Sequence, residues 1–369
     1  MAGPGTTTPA TSTQVQVEPA TRVSIDALRA YGVEAFTKAG LPEEGAREVT
    51  EVQLESNLRN QPTHNMGNVP GYAKRMQGGM INTKCDIRPL RESPVHVQLD
   101  GDNGPGQWVS VVATRHAIAK AKTAGIGVCG VLHSNHFGAA GHYAWMIAEA
   151  GLIGLVTTNG GLVLAPWGGV TPTFGNNPLG VGIPAGKNAP IVLDIAMSVV
   201  AQGKIALAIA EGKPIPRGWL MDKRGRITTN PEDFREGIGV PIAEHKGYGL
   251  TLVMETLAGV LTGAGFCHDH AREITRDESR SPDLGHFFLA INPEMFMGAD
   301  EFKGRVDRMI DEIKSSELAE GSSGIMVSGE PEMRARAANL AAGTVPLLPS
   351  TLRGLQKYAE EAGLSTRLG

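Results

Sequence analysis

Hydrophobic spacing along the chain alternates between helical and strand-like periods. From Ser24 to about residue 38, Ile25, Leu28, Tyr31 and Ala35 predict an amphipathic helix with Ser24 as its N-cap, although Gly32 sits inside the pattern. A second helix begins with Pro42 in its first turn and runs through Val49, Val52 and Leu54 to about Leu58. Two prolines and two glycines between Arg59 and Tyr72 predict a loop that breaks and restarts the helix. Val95–Leu99 alternates as a strand and ends at the turn 100–104. The pattern then predicts a helix over Trp108–Ala124, a strand over Val128–Leu132, a helix over Ala139–Ala150 and a strand over Ile153–Thr158. Strands over Leu179–Ile183 and Ile191–Asp194 precede a helix from about Ser198 to Glu211, and residues 215–245 read as loops. Lys246–Gly263 reads as a long, largely apolar helix suited to a core or a subunit interface. A strand over His286–Asn292, a helix over Ala299–Ser316, a strand over Gly324–Val327 and closing helices complete the chain, with no internal repeat.

Composition adds boundaries to this picture. The 369 residues, 41% hydrophobic and 20% charged, describe an ordinary globular protein able to bury a large core. A net charge of −4 gives no basic surface for nucleic acid or membrane, and no apolar run of spanning length occurs. Cys85, Cys129 and Cys267 are odd in number and form no C-x-x-C pair, so a reducing, cytoplasmic location is expected. Residues 1–22, rich in Thr, Pro and Ala, are expected to be a disordered tail and lack the regions of a secretory signal. The 48 glycines imply close backbone approaches, as where a cofactor lies against main chain.

Candidate chemistry is densest between His133 and Lys204. Gly125-Ile126-Gly127-Val128-Cys129-Gly130 matches G-x-G-x-x-G, but a helix precedes it and a strand follows, the reverse of a dinucleotide fingerprint. Gly125 reads instead as a helix C-terminal glycine. His133, His136 and His142 lack ligand spacing and a nearby carboxylate, so no metal site is expected there or at His268-Asp269-His270. What remains is a cofactor cradle: Asn159, Asn176, Asn177 and Ser198 offer neutral hydrogen bonds, and Lys204 and Lys246 offer positive charge for phosphate.

Ser134-Asn135-His136-Phe137-Gly138-Ala139-Ala140-Gly141-His142-Tyr143 resembles the hallmark of the type-2 malate/L-lactate dehydrogenase family. Thr158-Asn159-Gly160, Ala165-Pro166-Trp167-Gly168-Gly169, Asn176-Asn177-Pro178-Leu179-Gly180, Val192-Leu193-Asp194-Ile195-Ala196-Met197-Ser198, Gly203-Lys204, His245-Lys246-Gly247-Tyr248-Gly249 and Ser328-Gly329-Glu330 follow in the same order. The resemblance covers roughly residues 24–365. It implies an α/β, non-Rossmann fold: a mixed, largely antiparallel sheet with flanking helices and a helical subdomain, assembled as a homodimer. The expected layout is a tail (1–22), an N-terminal helical region with the catalytic loop (23–92), a dinucleotide-binding core-sheet domain (93–265) and the remaining sheet and helices (266–369). The implied cofactor is NADPH or NADH, with NADPH preferred. It would be held by His136, Phe137, Gly138, Ala139, Ala140, Asn177, Pro178, Leu179, Ser198, Lys204, His245, Lys246, Gly329 and Glu330.

The resemblance also implies His64 as proton donor, with Thr63 and Asp194 in a relay and Thr158 and Asn159 near the substrate. A histidine suits that role because its ordinary pKa lies near ~6.5. The chain departs from the family pattern at Asn68, where an arginine that grips the substrate carboxylate is expected; asparagine cannot reproduce that charge-assisted contact. Either Arg59 or another cation substitutes, or the substrate is not an ordinary small 2-oxo acid. Asn65 replaces a glycine and is expected to tolerate a left-handed backbone. The expected activity is hydride transfer between nicotinamide and a small polar 2-oxo or 2-hydroxy acid or related carbonyl compound. The alternatives are a cyclic imino-acid reductase, a dinucleotide-binding protein that has lost catalysis and, third, a metal hydrolase.

Overall fold

The computed structural model describes residues 20–270 and 282–368. Strand β1 (Thr21–Ser24) leads into α1 (Ile25–Lys38) and α2 (Glu43–Leu58). The Ser24 hydroxyl accepts from Ala27 N at 3.3 Å, as an N-cap should, and Pro42 occupies the N-cap of α2. A single 3-10 turn, Met66–Asn68, restarts the chain as α3 (Val69–Gln77). Next come β2 (Arg88–Glu92), β3 (His96–Asp100), α4 (Gly106–Ala124), β4 (Ile126–Ser134), α5 (Ala140–Glu149), β5 (Ile153–Thr158), β6 (Leu179–Ile183), β7 (Ile191–Ile195) and α6 (Gln202–Glu211). Short β8 (Leu220–Met221), β9 (Ile227–Thr228) and β10 (Ile238–Gly239) precede α7 (His245–Glu255), which continues through a π-turn at Thr256–Val260. The described chain closes with β11 (Leu284–Ile291), α8 (Ala299–Lys314), α9 (Glu330–Ala342), β12 (Thr344–Leu347) and α10 (Pro349–Glu361). No described helix is long and apolar enough to cross a membrane.

The main sheet has seven strands in the order β2-β3-β4-β11-β5-β6-β7. Only β3 and β4 pair in parallel, joined by the crossover helix α4; every other pairing is antiparallel. The fold is thus α/β with a mixed, largely antiparallel sheet, unlike a Rossmann domain. Strand β11, far along the chain, inserts between β4 and β5. Helices α4 and α5 bury Val109, Ala113, Ala117, Tyr143 and Ile147 against Val131, Val156 and Phe288 of the sheet. Gly127 lets α4 sit directly on β4, since a Cβ there would lie 2.0 Å from Ala117 O. Gly125 ends α4 at φ 85°, with its N–H on Ala121 O, which explains the reversed context of the glycine motif.

A separate core joins α1, α2 and α3 to the end of the chain. Leu28, Tyr31, Phe36 and Leu54 pack with Val345, Leu347, Leu355 and Tyr358, and β1 pairs antiparallel with β12. The helical N-terminal region and the last helix therefore form one unit.

Some expectations need correction. Residues 1–19 of the expected tail lie outside the described residues, whereas Thr21 and Arg22, also expected in it, belong to β1. Residues 324–327 form no strand; only one backbone bond, Val192 N to Ser328 O at 3.0 Å, ties the neighbouring loop to the sheet edge. Helix α6 starts at Gln202, not near Ser198, because Ser198 is held in a bridge with Pro241. The stretch 215–245 carries the three-stranded sheet β10-β8-β9.

Candidate active site

The loop after α2 reverses direction sharply, with Asn60 at φ 54° and His64 at φ 61°. Positive φ at a histidine costs energy, so the surroundings must hold it. They do so through Asn65, whose Nδ2 donates to Gln61 O at 2.9 Å and whose Oδ1 accepts from Gly67 N at 3.0 Å. Met66 N also donates to Asn57 Oδ1 at 2.9 Å. Asn65 itself is extended at φ −101°, so the left-handed residue is His64, a correction to the expected role of Asn65.

The His64 ring stacks on that of His136, with centroids 5.2 Å apart and planes 12° apart. Nδ1 of His64 meets Thr63 Oγ1 at 3.0 Å, leaving Nε2 for a ligand. The hydroxyl of Tyr72, from α3, meets His136 Nδ1 at 2.5 Å. Burial lowers the pKa of His64, and pushes that of His136 down to about 3 with help from His64, Arg75 and His286. Both rings are therefore neutral at pH 7.

Behind this loop lies a cavity of about 370 Å³ between Arg59, Gln61, Gly141, Val192–Asp194 and residues 326–333. Arg59 is buried, with its guanidinium 4.6 Å from the centre of the Trp145 ring and 3.2 Å from Glu55. Arg336, from α9, lies 4.7 Å from the same ring and binds Glu55 through two bonds of 2.9 Å. Burial lowers the pKa of Arg59 against the opposing charge of Glu55. Asp194 opens onto the cavity yet is walled by protein, and this burial raises its pKa against hydrogen bonds from Gly141 N–H and the Gln61 side chain. Among the described residues Asp194 bonds neither Thr63 nor His64, so the expected three-residue relay is connected only from His64 to Thr63.

Thr158 and Asn159 face inward. Thr158 Oγ1 lies 2.9 Å from Gly285 O and 2.7 Å from His286 Nδ1, and His286 Nε2 continues to Ser134 Oγ at 2.8 Å. Asn159 donates Nδ2 to Gly265 O at 2.8 Å and accepts from Gly285 N at 2.9 Å. Asn68 is exposed at the start of α3.

The residues expected to hold the dinucleotide spread around this centre. Phe137 stacks on His286 at 4.9 Å; Gly138, at φ 88°, and Ala139 turn the chain so that Ala140 opens α5. Asn177, at φ 31°, gives Nδ2 to Glu255 at 2.6 Å while its Oδ1 stays buried without a partner; Pro178 and Leu179 follow into β6. The Ser198 hydroxyl donates to Val200 O at 2.9 Å. Lys204 is exposed on α6, and a Cβ on its neighbour Gly203 would lie 3.6 Å from Thr63 Cγ2, which brings this helix to the loop that carries His64. His245 and Lys246 form the exposed first turn of α7, with His245 edge-on to Trp167 at 6.1 Å. Gly329, at φ 83°, sits where a Cβ would lie 2.7 Å from Val192 O. Glu330 is occupied by Lys314 at 2.6 Å and by Val327 N at 3.1 Å.

Sequence reasoning missed Gln61, Tyr72, Trp145 and Arg336. Nothing local marks them, since each acts on a residue brought near by the fold. The histidines of the 133–142 stretch do not converge: His133 meets Asp100 at 3.0 Å, His136 meets Tyr72, and His142 lies beside Trp145. Among the described residues no group of three potential ligands is arranged to hold a metal ion.

The sequence profile of the malate/L-lactate dehydrogenase family matches residues 23–356. The malate dehydrogenase of Pyrococcus abyssi is 36% identical over 351 residues, 93% of this chain and 95% of that protein. The L-sulfolactate dehydrogenase of Methanocaldococcus jannaschii is 38% identical over 302 residues, covering 82% and 86% of the two chains. The solved delta1-piperideine-2-carboxylate reductase of Pseudomonas syringae superposes with a TM-score of 0.83 at 27% identity, covering 92% of this chain and all of that one, 100%.

Proposed function

The chain belongs to the malate/L-lactate dehydrogenase family and is an oxidoreductase, and on that premise we propose that it moves hydride between NAD(P) and a small 2-oxo or 2-hydroxy acid with His64 as the proton-transfer residue. The observation that carries this reading is the His64 ring itself. It is held at an unfavourable φ, stacked on His136 and tethered through Nδ1 to Thr63, so that Nε2 is its one free nitrogen. With Nδ1–H donating to Thr63, neutral His64 accepts a proton from a hydroxyl; protonated, it returns one to a carbonyl oxygen. Because burial favours the neutral ring, oxidation finds its base ready at pH 7, whereas reduction needs an anionic substrate nearby to restore the charged form.

Relatives in the family are named for NADP(+) and for NAD(+). The residues present fit a dinucleotide: Arg59 and Gln61, which line the cavity behind the loop, carry buried polar atoms without partners, and Gly141 and Gly329 line the same wall. Bound, the dinucleotide is the hydride donor or acceptor. His136 to Ala140, Asn177 to Leu179, Ser198, His245 and the loop at Gly329 and Glu330 would hold it. The exposed ammonium groups of Lys204 and Lys246 favour NADPH, through its additional phosphate. Arg59 and Asn68 flank the proposed catalytic loop, and Thr158 and Asn159 brace the end of β5 against β11 and the loop at Gly265. Asp194 holds Gln61 rather than passing a proton.

We place the enzyme in the cytoplasm, in keeping with its three free cysteines, and as a homodimer, because Leu250, Val253, Val260, Leu261 and Phe266 leave an apolar face exposed along α7 and beyond. A second reading, reduction of a cyclic imino acid, is supported by the similarity to the delta1-piperideine-2-carboxylate reductase. The test is His64→Ala assayed on ketoacids and cyclic imino acids with NADPH and NADH. Turnover should fall about a hundredfold or more while dinucleotide affinity stays within twofold. Retained turnover would remove His64 from the mechanism.

A further inference from the structure

Two side chains on the cavity wall are left with complementary, unused hydrogen-bonding capacity. Arg59 is 4% exposed, and its Nε and Nη2 have no hydrogen-bond partner, the Glu55 contact being an ion pair outside hydrogen-bond geometry. Two residues on, Gln61 stands close enough to Asp194 to hold its pKa down against burial, and Gln61 Oε1 is itself buried without a partner. Both residues line the same cavity of about 370 Å³. A buried donor and a buried acceptor left open cost about 1–3 kcal/mol each, so a ligand that satisfies both is strongly favoured.

The charges in the wall restrict what that ligand is. Asp194 and Glu332 also line the cavity, and Glu55 is shared between Arg59 and Arg336, so two cations stand among three acidic groups. A free carboxylate entering here would add a fourth acidic group beside those two cations. A neutral group with one acceptor and one N–H donor in a plane meets no such opposition. We propose that the Arg59–Gln61 pair is a carboxamide subsite, with Arg59 donating to the amide carbonyl and Gln61 Oε1 accepting from the amide N–H.

The subsite rests on the proposed dehydrogenase function and deepens it. The amide has two possible sources, the nicotinamide carboxamide of the cofactor or an amide borne by the substrate. In the first case Arg59 and Gln61 fix the rotation of the nicotinamide ring and hence the face offered to substrate. Arg59 thereby stops being available as the substitute for the arginine missing at position 68.

The experiment compares dinucleotide binding, by tryptophan fluorescence, for NADPH and NADH and for their 3-acetylpyridine analogues, which replace the amide NH2 by methyl. A cofactor source predicts an analogue at least tenfold weaker than the parent, with the difference collapsing to within twofold in Gln61→Leu. A substrate source predicts equal dinucleotide affinities, but oxamate binding at least tenfold tighter than pyruvate to the dinucleotide complex, again lost in Gln61→Leu. Equal binding within both ligand pairs, or discrimination that survives Gln61→Leu, overturns the subsite. If no dinucleotide binds at all, the proposed function fails instead, and oxamate against pyruvate on the free protein decides the subsite: at least tenfold tighter oxamate, lost in Gln61→Leu, supports it, and equal affinities overturn it. The ligand comparisons are made on unaltered protein, so they stand even if the variant folds poorly.

Discussion

Replacing Asn159 by alanine separates a structural role from a substrate-binding one. The side chain is 2% exposed and spans two backbone groups, Gly265 O at 2.8 Å and Gly285 N at 2.9 Å. Alanine would leave a buried carbonyl and a buried N–H unpaired, at about 1–3 kcal/mol each, so a loss of about 3–4 kcal/mol is expected. For a chain of this length that corresponds to a fall of roughly 4–5 °C in melting temperature. Asn159→Asp keeps the acceptor for Gly285 N but aims a carboxylate oxygen at Gly265 O, and should cost at least as much. Urea unfolding with dinucleotide present and absent, together with kcat and KM at 15 °C, provides the measurement. Stability should drop for both variants while kcat at low temperature stays within about tenfold of the parent. A variant that is stable to within ~1 kcal/mol yet has lost turnover more than a hundredfold would mean that Asn159 touches substrate and that its backbone clamp is dispensable.

Acid should unfold the protein through its buried histidines. Burial pushes His136, His142 and His286 down to about 3, below their unfolded value, so the unfolded chain binds up to three more protons between about pH 6.5 and 3. Stability from these groups is complete above pH 6.5 and is lost as pH falls, at up to about 4 kcal/mol per pH unit near pH 5; a slope below about 1 kcal/mol per unit in urea titrations would refute it. Glu55→Gln should cost about 3–5 kcal/mol in chemical denaturation, because it strands Arg59 and Arg336 beside Trp145, and adding Arg336→Met should recover part of that loss.

The elements legible in the sequence are those whose partners are local or whose burial alternates cleanly. Strands β5 and β6 occupy the residues their patterns indicate, and Gly125 could be assigned from its place after a helix. Strand β2 could not be read, because all five of its residues are exposed and nothing alternates. The two-residue strands β8, β9 and β10 are held by one another and by a bridge from Gly239 of β10 to Leu164. Gly324–Val327 failed the other way: its apolar residues suggest a strand, but it forms no ladder with β7, which bonds instead to Ser328 O just beyond it. In the site, His64 and the glycine-rich segments were legible through resemblance. The contacts of Tyr72 with His136, of Gln61 with Asp194 and of Arg336 with Glu55 cross up to 281 residues and leave no local trace.

The two hydrophobic cores explain why those long contacts matter. His64, Tyr72, Arg59 and Glu55 belong to the helical unit, whose core includes β12 and α10. His136, Trp145 and Asp194 belong to the sheet unit, whose core is built from α4, α5 and the central strands. Three contacts in the candidate site therefore cross from one unit to the other: ring on ring at His64–His136, hydroxyl on ring at Tyr72–His136, guanidinium on indole at Arg59–Trp145. The proposed proton transfer by His64 would need its Nε2 placed to within a fraction of an ångström, and neither unit alone fixes it. The seam between the cores does, with β11 anchoring its sheet side through the buried Thr158–His286–Ser134 chain. Substitutions that loosen the seam should lower turnover before they lower stability, whereas those inside either core should do the reverse.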